Sequence, residues 1–197
     1  NMKKLILALV VLISAANISC AQVLSNKKGN YTEADSLRGS LRPERAFDVQ
    51  KYHLKLKVEP EKQFISGSNT ISFIADDDLS TIQIDLFENM KVDSILQNNQ
   101  TLAYNRKHNA VFIDLKETVR ANEKGEIQFY YSGKPIVAKN APWDGGFVWD
   151  TDKNGDPWIG VAVQGTGASL WYPNKDHLSD EPEQVQLDIA VPNGLMN

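Results

Sequence analysis

Val49-Gln50-Lys51-Tyr52-His53-Leu54-Lys55-Leu56-Lys57-Val58, residues 49–58, decides the fold class. The stretch alternates with period two. Gln50, Tyr52, Leu54, Leu56 and Val58 form one set, and Val49, Lys51, His53, Lys55 and Lys57 the other. A period of two is that of a strand, in which successive side chains leave opposite faces. The first set reads as the buried face and the second as mainly the wet face.

The same signal recurs on both sides of this run. Ile71 and Phe73 follow Gly67, and Ile82, Ile84 and Leu86 follow the acidic turn Asp76-Asp77-Asp78. Val111, Ile113 and Leu115 follow a polar turn over residues 106–109, and Ile127, Phe129 and Tyr131 follow Gly125. Val185, Leu187, Ile189 and Val191 precede Pro192. Short β-branched and aromatic runs separated by turn residues predict an all-β fold, a β-sandwich or curved sheet. No helical periodicity is sustained in residues 22–197. Asn193-Gly194 is a turn signal directly after a strand, which predicts further chain beyond residue 197.

The amino terminus has a different character. Lys3-Lys4 precedes an apolar run from Leu5 to Ala16 broken only by Ser14. That run is short for a bilayer span, which needs about 20 apolar residues, and suits a signal peptide. Residues 1–21 are therefore read as a signal peptide cleaved after Ala21, which sends the protein to the periplasm or outside the cell. The competing exit lipidates Cys20, and only then is a membrane a partner. Residues 22–45 are polar and aperiodic and read as a linker, with the β-domain spanning 46–197. Cys20 is the one cysteine, so no disulfide forms within the chain and its core must hold it. The chain is 42% hydrophobic with a net charge of -4. Its Lys and Arg residues are interleaved with acids, which disfavours a nucleic-acid partner.

Candidate chemistry is sparse. His53, His108 and His177 fall in no His-Glu-x-x-His motif and have no i, i+4 spacing, so they offer no metal site. Asp150, Asp152, Asn154 and Asp156 around Gly155 imitate the front of a calcium loop. The closing carboxylate is replaced by Val161, so the pattern reads as an acidic hairpin tip. Trp143, Trp149, Trp158 and Trp171 cluster in one region. They read either as core or as an exposed platform for sugars.

Two irregular stretches carry a resemblance. One is Ala141-Pro142-Trp143-Asp144-Gly145-Gly146-Phe147. The other runs Gln164-Gly165-Thr166-Gly167-Ala168-Ser169-Leu170-Trp171-Tyr172-Pro173, followed by Asp180-Glu181-Pro182 and the strand from Val185 to Val191. With Tyr52-His53-Leu54 and Ile65-Ser66-Gly67 upstream, they resemble the aminopeptidase N family of zinc metallopeptidases over most of residues 42–195. The stretch between Pro173 and Asp180 is longer than in many relatives. The resemblance implies a saddle-shaped amino-terminal β-domain packed on a downstream thermolysin-like catalytic domain, which acts on peptide substrates. That catalytic domain, with its zinc ligands and its Gly-x-Met-Glu-Asn motif, lies outside this chain. No catalytic residue is expected in residues 1–197. The resemblance also implies that Gln164 helps bind the substrate's α-amino group, with Gly165 letting backbone approach a ligand. An amide carbonyl is a suitable acceptor for an ammonium with three donors. The alternative reading is a free-standing secreted β-sandwich module that binds glycans through the tryptophans.

Overall fold

The computed structural model describes residues 30–196. The predicted signal segment and residues 22–29 lie outside the described residues, and the compact unit begins at Glu33. It opens with a short helix, α1 (Glu33–Gly39), and a 3-10 turn over Pro43–Arg45. The strands are β1 (Phe47–Glu59), β2 (Phe64–Ala75), β3 (Leu79–Asp85), β4 (Met90–Gln97), β5 (Gln100–Thr101) and β6 (Ala103–Lys107). They continue with β7 (Ala110–Val119), β8 (Lys124–Gly133), β9 (Gly146–Thr151), β10 (Pro157–Ala162) and β11 (Gln184–Ala190).

The fold is all-β. A six-stranded sheet runs in the order β11-β1-β2-β8-β4-β5, and a three-stranded sheet in the order β3-β7-β6. One core lies on both: Val49, Ile71, Phe73, Ile127, Phe129 and Tyr131 from the larger sheet meet Ile82, Ile84, Val111 and Ile113 from the smaller. A hairpin of β9 and β10 forms a sheet of its own. All pairings in the larger sheet are antiparallel except one, since β11 lies parallel to β1 with Tyr52 opposite Val185 and Leu54 opposite Leu187.

The alternation in residues 49–58 holds from Tyr52 onward and fails before it. Val49, expected on the wet face, is buried, and Gln50 is only half-buried. The register between β1 and β2 shifts between Val49 and Lys51. This bulge adds one residue and exchanges the faces, so Phe47 and Val49 point inward upstream of it and Tyr52, Leu54, Leu56 and Val58 downstream. The Val49 amide donates to the Asp180 carboxylate, 3.1 Å to Oδ2.

The segment expected as a polar linker is ordered and packed from Glu33. Leu37 and Arg45 are buried, and they cover the face of β3 opposite the core. Gln83 and Asp85, which alternate with Ile82 and Ile84, are therefore buried as well. Asp85 Oδ2 accepts from Arg45 Nη2 at 2.7 Å and from the Asp176 amide at 3.1 Å. Its Oδ1 accepts from Gln83 Nε2 at 2.9 Å, and its backbone bridges Asn174 in both directions. Burial pushes the Asp85 carboxyl up to about 6, against the pull of Arg45, Gln83 and the Asp176 amide. A second knot lies alongside. Lys175 pairs with Asp180 at 2.7 Å with both side chains buried, donates to the Phe47 carbonyl and sits 4.7 Å above the Phe47 ring.

Removing one partner of a buried pair leaves an uncompensated charge, which costs more than the pair contributes. Asp85→Ala is expected to lower unfolding free energy by about 3–5 kcal/mol in urea titrations. Asp85→Leu combined with Arg45→Met is expected to recover most of that loss. Equal destabilisation by the single and double variants would contradict this account.

Candidate functional site

β10 ends at Ala162, and the chain then turns sharply. The amides of Thr166 and Gly167 both donate to the Val163 carbonyl, at 3.1 and 2.9 Å. Gln164 and Gly165 form the exposed crest of this turn. Gly165 has φ +71 and Gly167 φ +92, both in the left-handed region that other residues avoid. Around Gly165 the space is open, so its glycine serves the turn. At Gly167 a side chain would strike Asp176 and Arg38. Glycine at 167 thus permits backbone to lie against an ion pair.

After the turn, a 3-10 segment over Ala168–Leu170 and residues 171–176 drop into the domain. Asn69, inward on β2 and buried, donates from Nδ2 to the Pro173 carbonyl at 2.8 Å. The Phe87 amide donates to the Ser169 carbonyl at 2.9 Å, and the Tyr52 hydroxyl accepts from the Lys175 amide at 3.0 Å. Burial pushes the Tyr52 phenol well above its ordinary value and that of Tyr172 up to about 12, so both keep their protons. Sequence reading missed Asn69, Gln83 and Asp85 as anchors. The signal available was polar residues inside apolar strands, in Asn69 at an inward position of β2.

The tryptophans divide. Trp149 stacks on Phe147 at 5.0 Å, Trp171 meets the same ring at 6.3 Å, and Trp171 meets Tyr172 at 4.7 Å. Those two belong to the packed side of the hairpin. Trp143 and Trp158 remain 77% and 65% exposed, so the four do not make one platform. The hairpin tip behaves as its sequence predicts. Asp152 accepts from the amides of Asn154 and Asp156 at 2.7 and 3.0 Å, with Gly155 at φ +89.

The histidines lie apart. His53 meets Asp188 at 2.6 Å across β1 and β11, and His108 lies 3.5 Å from Glu33. His177 contacts Ser179 and the Gly39 carbonyl. Among the described residues no three His, Cys, Asp or Glu side chains converge on a point where a metal would sit.

No protein-family model and no curated protein matches the chain. Solved structures do. A mutant M1 zinc metallopeptidase from Deinococcus radiodurans, bound to a Tyr-Ser-Ala substrate, is 26% identical with a TM-score of 0.60, over 75% of this chain and 33% of its own. A two-domain M1 zinc metallopeptidase mutant bound to L-arginine gives 25% identity and a TM-score of 0.59 over the same shares. The chain is similar to the amino-terminal domain of M1 zinc metallopeptidases. Leukotriene A4 hydrolase from Saccharomyces cerevisiae shares the fold at 18% identity and a TM-score of 0.61, over 89% of this chain and 27% of its own. The chain thus spans a third or less of the length of these solved structures.

Because the tip carboxylate is engaged by backbone amides, Asp152→Ala is expected to cost about 1 kcal/mol. Calcium is expected to leave the melting temperature unchanged. A calcium-dependent rise in calorimetry that vanished in Asp152→Ala would contradict the assignment.

Proposed function

We propose that this chain is the amino-terminal domain of an exported zinc aminopeptidase, and that Gln164 accepts a hydrogen bond from the α-ammonium of the peptide substrate. The single observation behind the reading is the Gln164 turn. It is a preset, exposed crest whose backbone is closed on itself and whose amide side chain has no hydrogen-bond partner among the described residues. The turn fixes the backbone at Gln164, and its side-chain amide, unengaged among the described residues, is left available as an acceptor for a ligand.

A second observation supports a domain that follows. Val185 and Leu187 of β11 continue the buried face of β1, opposite Tyr52 and Leu54, yet they are 51% and 53% exposed. Val161 and Val163 at the end of β10 are also exposed. Apolar strips of this kind mark surfaces that another body covers. The occupant we assign is the catalytic domain, since the match covers only 33% of the similar peptidases and leaves two thirds of their length beyond it. That domain would hold zinc, which activates water for hydrolysis. The present chain contributes the acceptor that counts from the amino end of the substrate. Glycan binding through four tryptophans is less well supported, because Trp149 and Trp171 are engaged in packing.

In the full-length protein, Gln164→Ala removes one hydrogen bond to a charged group, worth about 1.5–3 kcal/mol. The value of kcat/KM on aminoacyl arylamides is expected to fall roughly 10- to 200-fold. Gln164→Glu keeps an acceptor and is expected to retain more activity. A wild-type kcat/KM in folded Gln164→Ala would return Gln164 to an ordinary turn residue.

A further inference from the structure

We infer that Asp176, together with Arg38 of α1, is a positioning residue for the Gln164 turn. The inference rests on the reading of Gln164 above and adds the device that holds it. The turn over residues 163–167 is braced on two flanks. On one, Gly167 lies directly against Asp176 and Arg38, where no larger residue fits. On the other, the Thr166 side chain packs on Gly145. The loop bearing Gly145 is itself closed by Asp144, whose carboxylate accepts from the amides of Lys139 and Asn140 at 2.7 and 2.8 Å.

Asp176 is the better connected brace. Its carboxylate pairs with Arg38 at 3.3 Å and accepts from Ser169 Oγ at 2.6 Å. Its amide donates to the buried Asp85 carboxylate at 3.1 Å. The residue therefore links the rigid core to the turn, with one hydroxyl from the 3-10 segment that leaves the turn. Arg38 is 42% exposed and Asp176 16%. The Arg38 end of the pair, open to solvent, adds little to stability. Yet Gly167 takes φ +92 to lie beside it. The pair also borders a cleft of about 720 Å³ shared with Val163, Gly165, Gly167 and His177. The arrangement fits a role in holding the crest in place more closely than a role in holding the fold.

A double-mutant cycle in the full-length enzyme tests this, because residues that act through one contact do not add. With Gln164 present, Asp176→Ala is expected to lower kcat/KM on an aminoacyl arylamide about tenfold; in the Gln164→Ala background the same change is expected to cost less than about twofold. Arg38→Ala, at the exposed half of the pair and tolerant of folding, is expected to repeat the pattern, and Arg38→Lys to retain most of the activity. Equal losses from Asp176→Ala and from Arg38→Ala in both backgrounds would overturn the inference while leaving Gln164 as the acceptor. If Gln164→Ala alone had no effect, the acceptor reading itself would fall, and the inference with it.

Discussion

Asp85 carries a carboxylate into a place that solvent does not reach, and the surrounding structure answers it. Burial alone would drive the proton on and destabilise the charged form. Arg45, Gln83 and the Asp176 amide supply three donors, each from a different part of the chain. Arg45 and Gln83 also reach the Leu37 carbonyl, at 3.2 and 3.0 Å, which closes the end of α1 onto the same knot. One side chain thus ties the amino-terminal segment, the smaller sheet and the segment after β10 together. Its failure would loosen all three at once, since each contact is needed to satisfy the others.

The sandwich behind this knot holds by ordinary burial. Two faces of apolar side chains meet, and no disulfide reinforces them. Long strands bend where bulges occur, at Val49/Lys51, Leu79/Thr81 and Val92/Ser94. The fold is therefore a stable frame with an irregular segment, residues 163–182, laid over it. That segment is held by side chains of strands: Asn69 on the Pro173 carbonyl, Tyr52 on the Lys175 amide, Asp85 on the Asp176 amide. The frame is generic, and the function proposed here belongs to the segment.

Much of the frame is legible in the sequence because period-two alternation is a local property. Tyr52 to Val58, Ile71 and Phe73, Ile82 and Ile84, and Ile127 to Tyr131 all lie in strands with the expected faces inward, and Leu86 is buried just past the end of β3. Three features escaped for a common reason. Val49 sits before a bulge, Gln83 and Asp85 are covered by residues 37 and 45, and residues 33–45 look like linker until something receives them. Each depends on a partner distant in sequence, which alternation cannot reveal. The tryptophans show the same limit, since Trp149 and Trp158 lie nine residues apart on one hairpin and face opposite surroundings. At the site, the resemblance singled out Gln164, which lies on the exposed crest of the turn after β10. Neither pattern nor resemblance pointed to Arg38 and Asp176, whose meeting joins α1 to a segment far along the chain.

The central claim is that Gln164 receives the substrate's ammonium. It is tested most directly by a crystal structure of the full-length protein with a non-hydrolysable dipeptide analogue bearing a free α-amino group. The account predicts Gln164 Oε1 within about 3 Å of the ammonium nitrogen, at hydrogen-bonding geometry. An ammonium held entirely by other residues, with the Gln164 side chain turned to solvent, would contradict it.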